Sequence, residues 1–229
     1  MGRRAARRHA VPVGLALLAS ACGMTPPWER QRAATEAKLA AIEEAGAAAK
    51  ALEPLSSDSL PTEGPAPNFA AQSLATNAME MDLVDFDDLT TTHEQLRLVS
   101  HNPVDRVAAW LRKGETPSGK DAEKLNDQVY ALRNIRYLLI TRSIEFVEPR
   151  DLGGGFASGA WREEALLFDL EQRKLVGGIR VTGANSDTAK VDPKNAPAWL
   201  RADLRANTAR AIEEAFRARY PTVPPPKLE

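Results

Sequence analysis

Past Asn134 the apolar residues change their spacing, and that change limits the fold more than any other feature of the chain. Before it, Val104, Val107, Ala108 and Leu111, and then Leu125, Val129 and Leu132, recur every three or four residues, which is the spacing of one-sided helices. After it, Leu138, Ile140, Ile144 and Phe146 alternate with Thr141, Ser143 and Glu145, the period of a half-buried strand. Residues 161–170 and 174–184 repeat the alternation through Leu166, Phe168 and Leu170, then Leu175, Ile179 and Val181, with Glu171-Gln172-Arg173 as the turn. Asn195 and Pro197 open a long helix to about Arg219, whose packing stripe is Leu200, Leu204, Ala211, Ala215 and Phe216. Helices, three strands joined by short connections and a closing helix predict an α+β domain: a three-stranded antiparallel meander with helices packed on one face.

That domain is expected over residues 80–220, long enough for one core. Its first helix is expected where Thr91 and Glu94 form a capping box ahead of Leu96, Leu98 and Val99, and Asn102-Pro103 opens the second. Upstream, residues 22–52 carry Thr25-Pro26-Pro27 and then an Ala-, Glu-, Lys- and Arg-rich run with few large apolar residues, Leu39, Ile42 and Leu52. This predicts a solvated stalk helix. Residues 53–79 hold Pro54, Pro61, Pro65 and Pro67 without periodicity and predict a disordered linker. Residues 221–229 form a Pro-rich tail.

The first 21 residues have a different composition. Arg3, Arg4, Arg7 and Arg8 precede an uncharged run from Val11 to Ala21, about half the length that a helix needs to cross a membrane, roughly 20 residues. This is the layout of an export signal. Leu18-Ala19-Ser20-Ala21-Cys22 closes it, and Cys22 is the only cysteine in 229 residues, so no disulfide forms within the chain. These residues resemble the lipobox of bacterial lipoproteins. The resemblance implies cleavage before Cys22, lipid attachment to its thiol and anchoring in a membrane. Two or three acyl chains are needed for lasting attachment. Gly23, where that family places an inner-membrane retention aspartate, implies the outer membrane, with the protein facing the periplasm or the cell surface.

Loss of residues 1–21 removes four arginines and no acid, leaving 26 basic and 31 acidic residues and a net charge of −5. Nucleic acid is not the expected partner of such a chain. Residues 23–95 hold 13 acids and 4 bases, and residues 96–229 hold 18 acids and 22 bases, so an acidic arm precedes a mildly basic body.

The short motifs do not add up to a catalytic set. Gly114 to Lys120 has the G-x-x-x-x-G-K spacing of a phosphate loop, but Asp121 stands where a hydroxyl should hold magnesium, and the loop follows a helix. Ser118 with Asp121 reads as the capping box of the third helix, and no nucleotide is expected. Gly153-Gly154-Gly155 with Gly159 leads into a strand rather than a helix and reads as a wide hairpin tip. Asp82, Asp85, Asp87 and Asp88 lack the glycine and the final glutamate of a calcium loop. His93, Glu94 and His101 lack zinc-protease spacing. No cofactor, metal or catalytic residue is expected.

The chain is therefore expected to be no enzyme but an anchored envelope protein that binds another envelope protein. A module for glycan or a small ligand is the alternative, and a hydrolase with an unrecognised site the third. The expected docking surface is the sheet face left free by the helices, with Leu139, Trp161 and Leu167. Should a further helix fold back over that face, the same residues become core.

Overall fold

A computed structural model describes residues 25–56, 67, 78–83, 103–114, 118–188 and 195–220. The export signal and Cys22, the helix expected from Thr91 to Val99, His93, His101, Asp85, Asp87, Asp88, most of the linker and the tail lie outside them. The elements run α1 (Pro27–Arg30), α2 (Arg32–Ala51), β1 (Ala78–Asp82), α3 (Pro103–Lys113), α4 (Lys120–Asn134) and β2 (Tyr137–Val147). There follow β3 (Arg150–Asp151), β4 (Phe156–Ala157), β5 (Ala160–Asp169), β6 (Lys174–Ala184) and α5 (Ala196–Arg219). The fold is mixed α+β, with a four-stranded sheet ordered β1-β2-β5-β6 and a separate β3-β4 ribbon.

The strands β2, β5 and β6 pair antiparallel with one another. At the β5-β6 turn the Asp169 side chain accepts hydrogen bonds from the backbone N–H groups of Glu171 and Gln172, both at 2.9 Å. The fourth strand, β1, adds to β2 in parallel, Met81 opposite Ile140 and Asp82 opposite Thr141. Sequence reading assigns these residues to the linker and to an acidic approach. The period-two run Met79-Glu80-Met81-Asp82 is the only local signal, and five residues are too few to stand out.

Two apolar layers flank the sheet. On one face Leu138, Ile140, Leu166 and Phe168 pack against α1 to α4. On the other, Tyr137, Leu139, Ala165 and Leu167 pack against Ile212, Phe216 and Tyr220 at the C-terminal end of α5. Helices thus occupy both faces, which corrects the expectation of one. The reason is the length of α5: its 24 residues have their own buried stripe, Leu200, Leu204, Thr208, Ile212 and Phe216, and it lies back along β6.

The second correction concerns α2, which is part of the core and not a solvated stalk. Its inward residues, Thr35, Leu39, Ile42, Ala45, Gly46 and Ala49, are mostly small and lie at helical spacing. A stripe of Ala and Gly lets a helix approach closely, so burial does not require many large side chains here. Lys38 donates to the Ile135 carbonyl at the start of β2. Trp28 packs edge-on against Trp110 with centroids 5.1 Å apart, and the Arg32 guanidinium lies 4.7 Å from the Trp110 ring. The N-terminal arm is therefore fastened along its length.

A third difference is local. The cap of α4 is Gly119, at φ 55°, without a side-chain hydrogen bond, so the Ser118–Asp121 capping box does not form.

Candidate functional site

At the end of α2 the chain is held by a buried ion network. Arg142, Glu164 and Arg180 stand directly opposite one another on β2, β5 and β6. Glu164 is fully buried; its Oε2 accepts from Arg142 Nε at 2.8 Å and Nη2 at 2.6 Å, and its Oε1 from Arg180 Nη2 at 2.8 Å. The same Oε1 accepts the Leu55 N–H at 2.8 Å. The remaining Arg142 donors reach the carbonyls of Ala49, Leu52 and Glu53 at 2.8, 2.6 and 2.9 Å. Arg142 therefore caps the orphan carbonyls at the C-terminus of α2, where a cation also suits the helix dipole. Both carboxylate oxygens are occupied. The network clamps residues 49–55 to the sheet and offers no open position to a substrate.

The other face carries a second set of acids. Alternation places Glu80 and Asp82 of β1, Thr141 of β2 and Glu163 of β5 on the α5 side of the sheet. Burial, with Asp82 and Glu80 adding repulsion, pushes the Glu163 carboxyl up to about 8 against Arg205 and a hydrogen bond with Thr141. Burial and Asp82 push Glu80 up to about 7, with Arg205 opposing and Glu213 adding to the rise. Among the described residues no three His, Cys, Asp or Glu side chains are placed to hold a metal ion.

The expected docking residues divide between core and surface. Leu139 and Leu167 are 2% and 1% exposed, lying beneath α5, so the sheet face is not a free surface. This corrects the expectation for those two residues and follows from α5 covering the face. The fit is close: a Cβ on Gly183 of β6 would lie 2.0 Å from Thr208 Oγ1 of α5. Asn185 joins the same elements by accepting the Gly159 N–H at 2.8 Å and donating to the Leu200 carbonyl at 2.6 Å. Burial raises the Asp203 carboxyl, but hydrogen bonds from Ser186 and Asn185 outweigh it and hold the group below its ordinary value.

Trp161 is the exception, half-buried at the far end of β5. Its Nε1 donates to Ser143 Oγ at 3.0 Å, Phe146 meets its ring edge-on at 5.5 Å, and Arg205 sits 5.8 Å from its centroid. Around this end the chain exposes large apolar side chains: Ile144, Phe146 and Val147 on β2, Leu152 at 67% in the ribbon and Trp199 at 52% in the first turn of α5. Arg201 pairs with Glu148, which brings the start of α5 to the end of β2. Pairing of β2 with β1 ends at Thr141, so beyond it the outer edge of β2 has no partner strand among the described residues. Sequence reading puts Ile144 and Phe146 on the core side. A register shift between Ser143 and Glu145 changes the alternation.

Beside this end lies an open cleft of about 350 Å³ lined by Gly155, Phe156, Ser158, Asn185, Ser186 and Asp187. The Gly153–Gly155 tip is the loop of the β3-β4 ribbon, closed by Leu152 N–H to the Gly155 carbonyl at 2.9 Å. Residues 115–117 of the glycine-lysine loop lie outside the described residues, and Lys120 is the first residue of α4. No described helix is long and apolar enough to cross a membrane. Compared with known protein families the chain matches none, and no curated protein resembles it closely enough to count as a relative.

Proposed function

We propose that this chain is a lipid-anchored protein of the bacterial envelope that performs no catalysis and docks another envelope protein through the apolar end of its sheet. The lipobox-like Leu18–Cys22 supports the anchor. The observation that carries the docking role is the concentration of Ile144, Phe146, Val147, Leu152 and Trp199, all exposed, at one end of the domain. Interface centres are enriched in such aromatic and large apolar residues, and contiguous exposed apolar patches mark interaction sites. The sheet face proposed from sequence thus gives way to the sheet's end, with Trp161 common to both. The test is partner capture from native membranes by wild type and by Leu152→Ser and Trp199→Ser. Docking requires that capture falls while the unfolding midpoint is unchanged. Capture unaffected by both substitutions removes the proposal.

A second reading, recognition of envelope glycan, is favoured by the polar cleft beside Phe156 and Asn185, because saccharides stack on aromatic rings and bond to amides and hydroxyls. Saturable binding of muropeptide fragments, lost in Phe156→Ala, would select it.

A further inference from the structure

We infer that the end of the domain opposite the apolar patch seats directly on an anionic lipid surface, with the patch pointing away from the bilayer. This rests on the anchor reading of Cys22 and deepens it. The argument begins with the length of chain between the lipid and the folded body. Residues 27–30 and 32–51 are helical, and Trp28 is already in the core. From Cys22 to Pro26 there are four peptide units, which span at most about 14 Å. No stalk separates the domain from its lipid, and the distance is comparable with the headgroup layer itself.

Where that tether attaches determines what faces the lipid. Contacts along α2 show that it runs in the same direction as β2: Lys38 meets Ile135, and Ala49 and Leu52 meet Arg142. Arg32, six residues before Lys38, lies about 9 Å further out than the start of β2. The tether thus enters at the end holding the start of β2, the β5-β6 turn and, through Tyr220 in the apolar cluster that includes Tyr137, the C-terminus of α5. Phe146 and Leu152 lie at the other end, and the ten steps from Tyr137 to Val147 of β2 cover about 33 Å.

Charge agrees with this seating. Arg30 of α1, Arg133 in the last turn of α4, Lys174 at the start of β6 and Arg217 in the last turn of α5 are exposed cations of the tether end. Among the acids of the same end, Glu29 and Glu36 both pair with Arg32, Glu44 with Arg173 and Glu171 with Arg136, with Glu214 of α5 the exposed acid outside these pairs. Basic residues near an anionic bilayer are attracted within a Debye length, a distance the tether cannot exceed by much.

The experiment uses the lipidated protein in phosphatidylethanolamine–phosphatidylglycerol vesicles carrying a headgroup-labelled energy acceptor. Cys22 is the only native cysteine and its thiol is acylated, so an introduced cysteine is the single labelling site. A donor is placed in Gln172→Cys, in the exposed β5-β6 turn, or in Leu152→Cys. The expected result is energy transfer at position 172 about threefold or more above that at 152, given the strand-length separation of about 33 Å. Equal transfer, or more at 152, in protein whose mass shows the acyl chains overturns the seating while leaving the anchor intact. A mass without acyl chains overturns both.

Discussion

Replacing Glu164 by glutamine is the sharpest test of the clamp that holds the N-terminal arm to the sheet. The substitution keeps the shape of the side chain but removes the charge that Arg142 and Arg180 share across three strands. Glu164 is fully buried and the Arg142 side chain is 9% exposed, so solvent replaces little of what is lost. Removing one member of a buried, hydrogen-bonded ion group costs about 3–5 kcal/mol, because a buried charge is left uncompensated. With a urea slope of about 2 kcal/mol per molar, the midpoint should fall by about 1.5–2.5 M, a large part of a typical total stability of 5–15 kcal/mol. Equilibrium urea unfolding followed by tryptophan fluorescence measures this, since Trp28 and Trp110 are buried against each other on the clamped side. Arg142→Met should cost nearly as much, because Arg142 also caps three carbonyls; Arg180→Met, which removes only bonds to Glu164 from a partly exposed side chain, should cost less. A midpoint shift under about 0.5 M for Glu164→Gln, or a larger loss from Arg180 than from Arg142, refutes the reasoning.

The α5 face offers two further tests. Gly183→Ala should lower stability by about 1–3 kcal/mol, because its Cβ meets Thr208 backbone as well as side chain, while Gly155→Ala, with open space around it, should leave the melting temperature unchanged. The raised Glu163 and Glu80 carboxyls are protonated in the folded chain and ionised in the unfolded chain between the ordinary carboxylate value and about 7 to 8. Their contribution is therefore complete at acid pH and lost as pH rises through that window, a decline of several kcal/mol at about 1.4 kcal/mol per pH unit, which Glu163→Gln should flatten in a pH series of unfolding curves. Lys120→Ala should leave stability within about 0.5 kcal/mol of wild type and confer no change in ATP binding, since Lys120 is an exposed first residue of α4.

Periodicity made most of the sheet and α5 legible from sequence. Alternation through Leu138 and Leu166 places β2 and β5, and the stripe from Leu200 to Phe216 places α5; β6 is found as a strand, but a register shift opposite Leu167/Phe168 puts Leu175 on one face and Ile179 and Val181 on the other, not together as the spacing suggests. Three features escaped for separate physical reasons. The α2 stripe is built of alanines and a glycine, whose burial depends on what approaches them rather than on their own hydrophobicity. The strand β1 is short, and its parallel partner β2 lies more than fifty residues away, so no local pattern announces the pairing. In the Arg142–Glu164–Arg180 network, Arg142 and Glu164 share the parity of Ile140 and Leu166, a side where charges are unexpected, and only cross-strand register brings the three together. The same register shift that follows Ser143 turns Phe146 outward and moves the proposed docking surface from the middle of the sheet to its end.

The clamp and the proposed seating on lipid both depend on the N-terminal arm belonging to the folded body. Hydrogen–deuterium exchange of the lipidated full-length protein measures this directly. The backbone amides of residues 35–51, and the Leu55 N–H bonded to Glu164, should exchange as slowly as those of β5. Exchange of residues 35–51 within seconds, beside a slowly exchanging β5, would show a free stalk and contradict the account.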